Sequence, residues 1–251
     1  MENVATPTAQ ETGTATGASK GKGLGARALG VIFSPRETYL DIAAHPRVVG
    51  ALVVVLLITI VAQTTFLMTD VGKDALFDQQ IRGMESFGFR ITDQMYDRME
   101  QGLAYTPYTG AALTLVMFPV VWAAISGLIL GVFNLALGGE ATFRQAYAVV
   151  AHSAFLVALQ QVFVTPLNYA RQSMSSPTTL GVFFPFLDEA TFLARLLGGL
   201  DLFFIWLAVN LAIGVGVLYK RTTTPIAIAM LGLYLGVVLI IVAIRTAFGG
   251  P

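Results

Sequence analysis

The sequence predicts an all-α protein that crosses a membrane five times. Its composition is 55% hydrophobic and only 12% charged, whereas a soluble domain usually has about 25% charged residues. Two apolar runs, residues 202–219 and 226–244, are separated by a short polar joint at residues 220–225. A helix needs roughly 20 residues to cross the hydrocarbon core of a bilayer, and the joint is long enough only for a turn. The last third of the chain is therefore predicted to be a transmembrane helical hairpin.

Charge and cysteine content exclude several classes of function. The chain has 15 basic and 15 acidic residues, a formal net charge of zero, which argues against a nucleic-acid partner. It contains no cysteine, so disulfides and thiolate metal sites are excluded. The two histidines, His45 and His152, are far apart in sequence and cannot supply a full ligand set for a metal. We therefore predict no metal and no cofactor.

The N-terminal part divides into a polar leader and an amphipathic segment. Residues 1–25 are rich in Ala, Thr and Gly, so they bury too little surface to offset their ordering entropy and are predicted to be disordered. A single membrane domain is predicted over residues 26–248. Within it, Ser34 followed by Pro35 indicates a helix start. This first helix either lies along the bilayer surface or packs on the polar end of the bundle.

The first predicted span, residues 48–68, is followed by a charged segment of about forty residues (69–109). Its apolar residues recur at roughly helical spacing, which predicts one or two amphipathic helices outside the membrane, broken near Gly88. Several of these residues are methionines, which can form an adaptable binding face. The alternative is a helix packed on the outer mouth of the bundle.

The remaining spans are predicted at residues 111–137, 143–164, 202–219 and 226–244, the third ending at Pro166. Five spans place the two termini on opposite sides of the membrane. Lysine and arginine are almost evenly divided between the two sides, so the overall bias does not set the orientation. The short joint that carries Lys220 and Arg221 without an acid favours a cytoplasmic N-terminus.

Three stretches together resemble the Yip-one domain family, whose eukaryotic members are Ypt/Rab-interacting membrane proteins. They are SPRETYLDIAAHP at residues 34–46, GGEATFRQAYAVVAHS at residues 138–153, and DLFFIW at residues 201–206, followed by Gly214 and the 220–225 joint. Their order agrees with the five-span layout of the family. The resemblance implies a non-enzymatic, multi-pass protein with a cytosolic N-terminus, here of the bacterial branch and so in the inner membrane. In eukaryotic relatives it implies a role in vesicle traffic and membrane shaping through protein partners.

Polar residues within the spans are the candidate functional residues. A carboxylate in hydrocarbon is expensive, so Asp201 either caps the fourth span or serves a pathway or partner. The amides of Gln63, Gln160 and Asn210 either bond neighbouring helices or line a route for a solute. His152 with Ser126 is a weak catalytic pair, because a serine nucleophile needs a base held within hydrogen-bond reach and Ala124 replaces the first glycine of the rhomboid protease motif.

Small residues at steps of four indicate smooth helix faces. Gly127 and Gly131 form one such pair, and Gly232 and Gly236 form another. Pairs of this kind let helices approach closely, either within one chain or between copies in a homo-oligomer.

We predict a non-enzymatic membrane protein that binds or organises lipid and protein partners in the bilayer. A small-solute transporter or channel is the alternative, and it would require a continuous polar cavity that joins the candidate residues. The sequence shows no inverted repeat with broken helices, the usual sign of such a transporter.

Overall fold

The computed structural model describes residues 21–188 and 191–248, and their regular structure is helical. A π-helical segment, Gly131–Ala136, continues α6, and a 3-10 helix covers Leu180–Phe183. The eleven α-helices of these ranges are α1 Leu24–Phe33, α2 Pro35–Ala44, α3 Val49–Leu67, α4 Asp70–Glu85, α5 Asp93–Gly102, α6 Thr106–Leu130, α7 Phe143–Ser153, α8 Phe155–Arg171, α9 Phe192–Gly199, α10 Leu202–Leu218 and α11 Thr223–Phe248.

The predicted fold class is confirmed. Four helical segments are long and apolar enough to cross a membrane: Val49–Leu67, Thr106–Ala136, Phe143–Arg171 and Thr223–Phe248. The fifth predicted span is α10, which has 17 residues and is therefore about 26 Å long. The third span continues through Pro166 instead of ending there, because a proline removes one backbone N–H and the rest of the ladder can still form.

The disordered leader predicted for residues 1–25 falls largely on residues 1–20, which lie outside the described part of the chain. The described chain begins just before α1, which starts at Leu24. The predicted helix start at Ser34 is present: Pro35 is the first residue of α2 and Ser34 precedes it. Ser34 also separates α1 from α2, so this region is a pair of helices and not the single helix expected.

The α7–α8 segment is the centre of the bundle. Of its most apolar stretch 67% is buried, compared with 17% for the corresponding stretches of the α6 and α11 spans. It packs against α3, α6 and α10, whereas α11 packs mainly on α10. Its buried face is rich in alanine, with Ala146, Ala148, Ala151, Ala154 and Ala158. Small side chains let the neighbouring helices approach closely.

Gly214 of α10 marks one of these close approaches. A Cβ at this position would stand 2.5 Å from Cγ1 of Val149 and 3.0 Å from the ring of Tyr39. Both distances are too short for carbon atoms. The close packing of α2, α7 and α10 therefore depends on a glycine at this position. This packing places α2 inside the bundle.

Candidate functional site

The helices α1 and α2 form a hairpin that enters the bundle from one end and turns back at about half its depth. At its base, Gln145 in the first turn of α7 donates to the carbonyl of Ala43 (3.1 Å). Near its tip, the carbonyl of Val31 accepts a hydrogen bond from Asn210 (2.7 Å), the ninth residue of the 17-residue α10. Of the two positions predicted for this segment, the contacts show the one packed against the bundle, because α2 lies on α7 and α10. The hairpin also reaches further into the bundle than its polar end, as far as Asn210.

An ion pair joins the two arms of the hairpin near its base. Arg27 is 1% exposed, and its Nε donates to Asp41 (2.7 Å) while its guanidinium also donates to the carbonyl of His45 (2.9 Å). The N–H of Lys22 donates to the other carboxylate oxygen (3.0 Å). Burial alone raises the pKa of Asp41, but the hydrogen bonds from Lys22 and Arg27 and the charge of Arg27 outweigh burial and hold this pKa below its ordinary value.

A second group of polar side chains attaches the hairpin to the bundle. The hydroxyl of Tyr39, which is fully buried, donates to Oδ1 of Asn210 (2.5 Å) and lies 2.7 Å from Oγ of Ser153. Ser153 also donates to the carbonyl of Val149 (2.9 Å). With the bond from Asn210 to Val31, these contacts join α1, α2, α7 and α10. The amide of Asn210 therefore bonds helices together, one of its two predicted uses.

His152 is completely buried beside this group. Its Nδ1 lies 2.7 Å from the carbonyl of Ala148, and its Nε2 is buried without a hydrogen-bond partner. Ser126, the residue considered as a nucleophile, donates to the carbonyl of Trp122 (2.6 Å). Each side chain thus bonds the backbone of its own helix, an arrangement that does not form a nucleophile and base.

Asp201 and Gln160 meet at the opposite end of the bundle. Asp201 is 5% exposed and accepts a hydrogen bond from the N–H of Phe203 (2.8 Å), which is the geometry of a helix cap. Its carboxylate also accepts from Gln160 (3.2 Å), Ser176 (2.6 Å) and Thr178 (2.7 Å). Four donors around one carboxylate compensate for its burial. The same residue thus fastens the 172–200 segment to α8 and α10.

Gln63 lies at a third place. Its Oε1 accepts a hydrogen bond from Thr114 (3.1 Å), which joins α3 to α6. The five candidate residues therefore occupy three separate positions: Gln63 between α3 and α6, His152 and Asn210 beside the hairpin, and Asp201 with Gln160 at the far end. Each of the five side chains makes at least one hydrogen bond within the protein, and Nε2 of His152 is buried without one. Within the described chain, no group of three histidine, aspartate or glutamate side chains is placed to hold a metal.

The four candidate packing glycines do not meet a neighbouring helix in the monomer. A Cβ built at Gly127, Gly131, Gly232 or Gly236 would find no atom of another described element within 4 Å. The two pairs lie on α6 and α11, the least buried spans. Their use as helix-packing faces stays a prediction.

Sequence reasoning did not select Tyr39 and Arg27, the two residues that fix the hairpin. The candidate residues were taken from within the predicted spans, and both of these residues precede the first span.

Comparison with known proteins assigns the family. No curated protein and no solved structure matched the chain. The model of one family, described as the Yip1 domain, matches residues 29–245, which is most of the chain and runs from the second half of α1 into the last turn of α11. This match confirms the resemblance seen in the sequence. The protein belongs to the Yip1 domain family of membrane proteins.

Proposed function

We propose that this protein carries out no chemistry and organises membrane components by binding a protein partner through α4 and α5. The observation that carries the proposal is that none of the ten residues of α5 is buried. An isolated helix shorter than about 12–15 residues is marginal in water, and the cap that Thr92 provides contributes only about 1 kcal/mol. A helix this short therefore needs a surface to pack on.

The face between the two helices has the chemistry of a protein-binding surface. A cavity of about 410 Å³ is lined by apolar side chains that include Met84, Phe87, Phe89 and Met99. Methionine and aromatic residues are enriched at protein interfaces, and methionine adapts to the shape of a partner. Tyr96 of α5, 44% exposed, packs edge-on against Phe77 of α4 (4.8 Å between ring centroids).

The charge of this region favours a protein over a lipid surface as the partner. Residues 70–102 contain seven acidic and four basic residues. Helices that lie on a membrane surface are typically rich in lysine and arginine, because phospholipid headgroups are often anionic. An apolar cavity within a region of net negative charge fits a partner with basic residues around an apolar anchor. Membership in the Yip1 domain family supports a trafficking or membrane-organisation role for such a complex.

Site-specific crosslinking in native membranes tests the proposal. We replace Tyr96 with benzoyl-phenylalanine in the full chain and use Leu233 of α11, 64% exposed, as a control site that faces lipid. We expect a discrete protein adduct from position 96, none from position 233, and loss of the adduct when Asp97 and Glu100 are changed to lysine. Equal adducts at the two sites, or none at 96, would contradict the proposal. Flux of a solute through the purified chain in proteoliposomes would support the transporter alternative.

We also propose that the N-terminus is cytoplasmic and the C-terminus is on the opposite face of a bacterial inner membrane. In support, Lys22 lies at the hairpin base near the start of α7, whereas the carbonyl of Phe248 lies against Gly88 at the other end. Because the chain lacks cysteine, Lys22→Cys and Phe248→Cys can be labelled singly. An impermeant maleimide should label position 248 in spheroplasts and position 22 only after lysis. Labelling of position 22 in spheroplasts, with position 248 labelled only after lysis, would show the opposite topology and contradict the proposal.

A further inference from the structure

A cavity of about 820 Å³ lies between the 172–200 segment and the second half of α11. This volume falls within the range of about 300–1,000 Å³ that is typical of small-molecule sites. Three arginines from separate elements line it: Arg171 at the end of α8, Arg195 in α9 and Arg245 in the last turn of α11. No acidic residue is found among its described lining residues. The cavity is therefore strongly basic.

Part of this positive charge has no partner in the described chain. Nε of Arg245 is buried without a hydrogen-bond acceptor, although its guanidinium lies over the ring of Phe87 (5.1 Å). Arg195 donates to the backbone carbonyl of Arg245 (3.1 Å), which joins α9 to α11 beside the cavity. A buried donor without an acceptor is costly. An anion in the cavity would supply that acceptor.

The opposite wall of the cavity is hydrocarbon. Val238, Ile241 and Val242 of α11 line it. At a rise of 1.5 Å per residue, Val238 lies about 10 Å deeper along the helix than Arg245. Arg245 is also about 20 residues beyond Pro225, near the start of α11, so it reaches the membrane interface while the valines and the isoleucine stay within the hydrocarbon. The cavity is thus basic at the interface and apolar towards the membrane.

We infer that this cavity binds a phospholipid with a net negative headgroup. The planar guanidinium groups donate to the phosphodiester oxygens, as arginine does in phosphate sites generally. One acyl chain lies along Val238, Ile241 and Val242. Three arginines and no acid among the described lining residues favour an anionic headgroup over a zwitterionic one. This ligand goes beyond the proposed partner protein, because none of the three arginines belongs to α4 or α5.

Native mass spectrometry of the full chain, purified in detergent, measures this binding. Phosphatidylglycerol is titrated against phosphatidylethanolamine with wild type, Arg195→Gln and Arg245→Gln. Since a hydrogen bond to a charged group is worth about one factor of ten or more in affinity, each variant should bind phosphatidylglycerol roughly tenfold more weakly. The matched control is Arg144→Gln, which removes an exposed arginine in the first turn of α7, away from the cavity and from α4 and α5. It should leave affinity within about twofold.

Two further measurements keep the outcome decisive. Ile241→Trp fills the apolar part of the cavity without changing any charge, so it should also weaken lipid binding. A cooperative thermal unfolding transition without added lipid shows that each variant is folded. Equal binding of the two lipids by wild type would overturn the inference, as would unchanged binding in folded Arg195→Gln and Arg245→Gln proteins. If inorganic phosphate raised the melting temperature as much as phosphatidylglycerol does, the cavity would be a site for a free anion, and the lipid assignment would be overturned. Failure here leaves the crosslinking result at Tyr96 unaffected.

Discussion

Two pairs of short helices lie at opposite ends of the bundle, and they place their polar side chains in opposite directions. The α1–α2 hairpin buries Arg27, Thr38 and Tyr39 together with Val31 and Ile42, while some of its large apolar side chains face outward. The α4–α5 pair does the reverse over α5, whose charged residues are exposed. The outward apolar residues of the hairpin are Leu29, Phe33 and Leu40.

This difference shows how the surrounding medium determines the inner face of an amphipathic helix. In lipid there is no water to satisfy polar groups, and Arg27 and Tyr39 find their partners inside the protein. In water charged groups remain outside, and α5 packs on Phe77 of α4 through Tyr96 while its charged residues stay exposed. The following four experiments break or sharpen this contrast.

The largest effect is expected at the base of the hairpin. Arg27→Met leaves the buried Asp41 carboxylate without its cation, and removing one partner of a buried pair costs about 3–5 kcal/mol. We expect a loss of this size in the free energy of unfolding, measured by denaturant titration in mixed micelles. The double variant Arg27→Met/Asp41→Leu should recover most of it. If Arg27→Met were as stable as the double variant, the ion pair between Arg27 and Asp41 would not hold the hairpin.

A matched pair of tyrosines compares the two regions directly. Tyr39→Phe removes a hydroxyl that lies against Ser153 and Asn210, and the unpaired groups should cost about 1–3 kcal/mol. Tyr96→Phe removes the same atom from an exposed site and should stay within about 0.5 kcal/mol. The readout is again the free energy of unfolding. Equal costs would mean that the hairpin is no more embedded than α5.

Asn210→Leu tests the tip of the hairpin. It removes the bond to the carbonyl of Val31 and the acceptor of Tyr39. Hydrogen bonds between helices in membranes contribute about 0.6–1.7 kcal/mol, so we expect a modest fall in melting temperature with normal membrane insertion. Loss of insertion, measured by membrane fractionation, would give Asn210 a larger role than helix attachment. Thr114→Val, which removes the partner of Gln63, is the control at another helix crossing.

The smallest effect is a dependence on pH. Since the folded-state pKa of Asp41 is lowered, its stabilising contribution is present above the pKa of the unfolded chain, about 4, and is lost as pH falls through the folded value. Wild type should therefore lose more stability between pH 6 and pH 3 than Asp41→Asn. His45, whose Nδ1 is 3.5 Å from Asp41, faces the same carboxylate, so His45→Gln is measured in parallel. Identical acid slopes for wild type and Asp41→Asn would contradict the assignment.

The sequence predicted the spans well, because hydrophobicity and length are local properties that lipid selects directly. The ends of α3 and α10 differ from the predicted bounds by one residue at each end or less, and α4 and α5 do lie on either side of Gly88. The partners of Asn210 and Asp201 could not be predicted. These partners depend on which segments that are distant in sequence come together in the fold, as Tyr39 and Asn210 do. The polarity of single residues along the chain does not say which segments come together.

The attachment of the hairpin also has a consequence for biosynthesis. The hydrogen bonds that hold it join positions 114, 171 and 179 residues apart in the chain. The hairpin is therefore synthesised well before its docking site on α10. Arg27 can pair with Asp41 as soon as both arms exist, whereas Tyr39 must wait for Asn210, so the hairpin takes its final place late in the synthesis of the bundle.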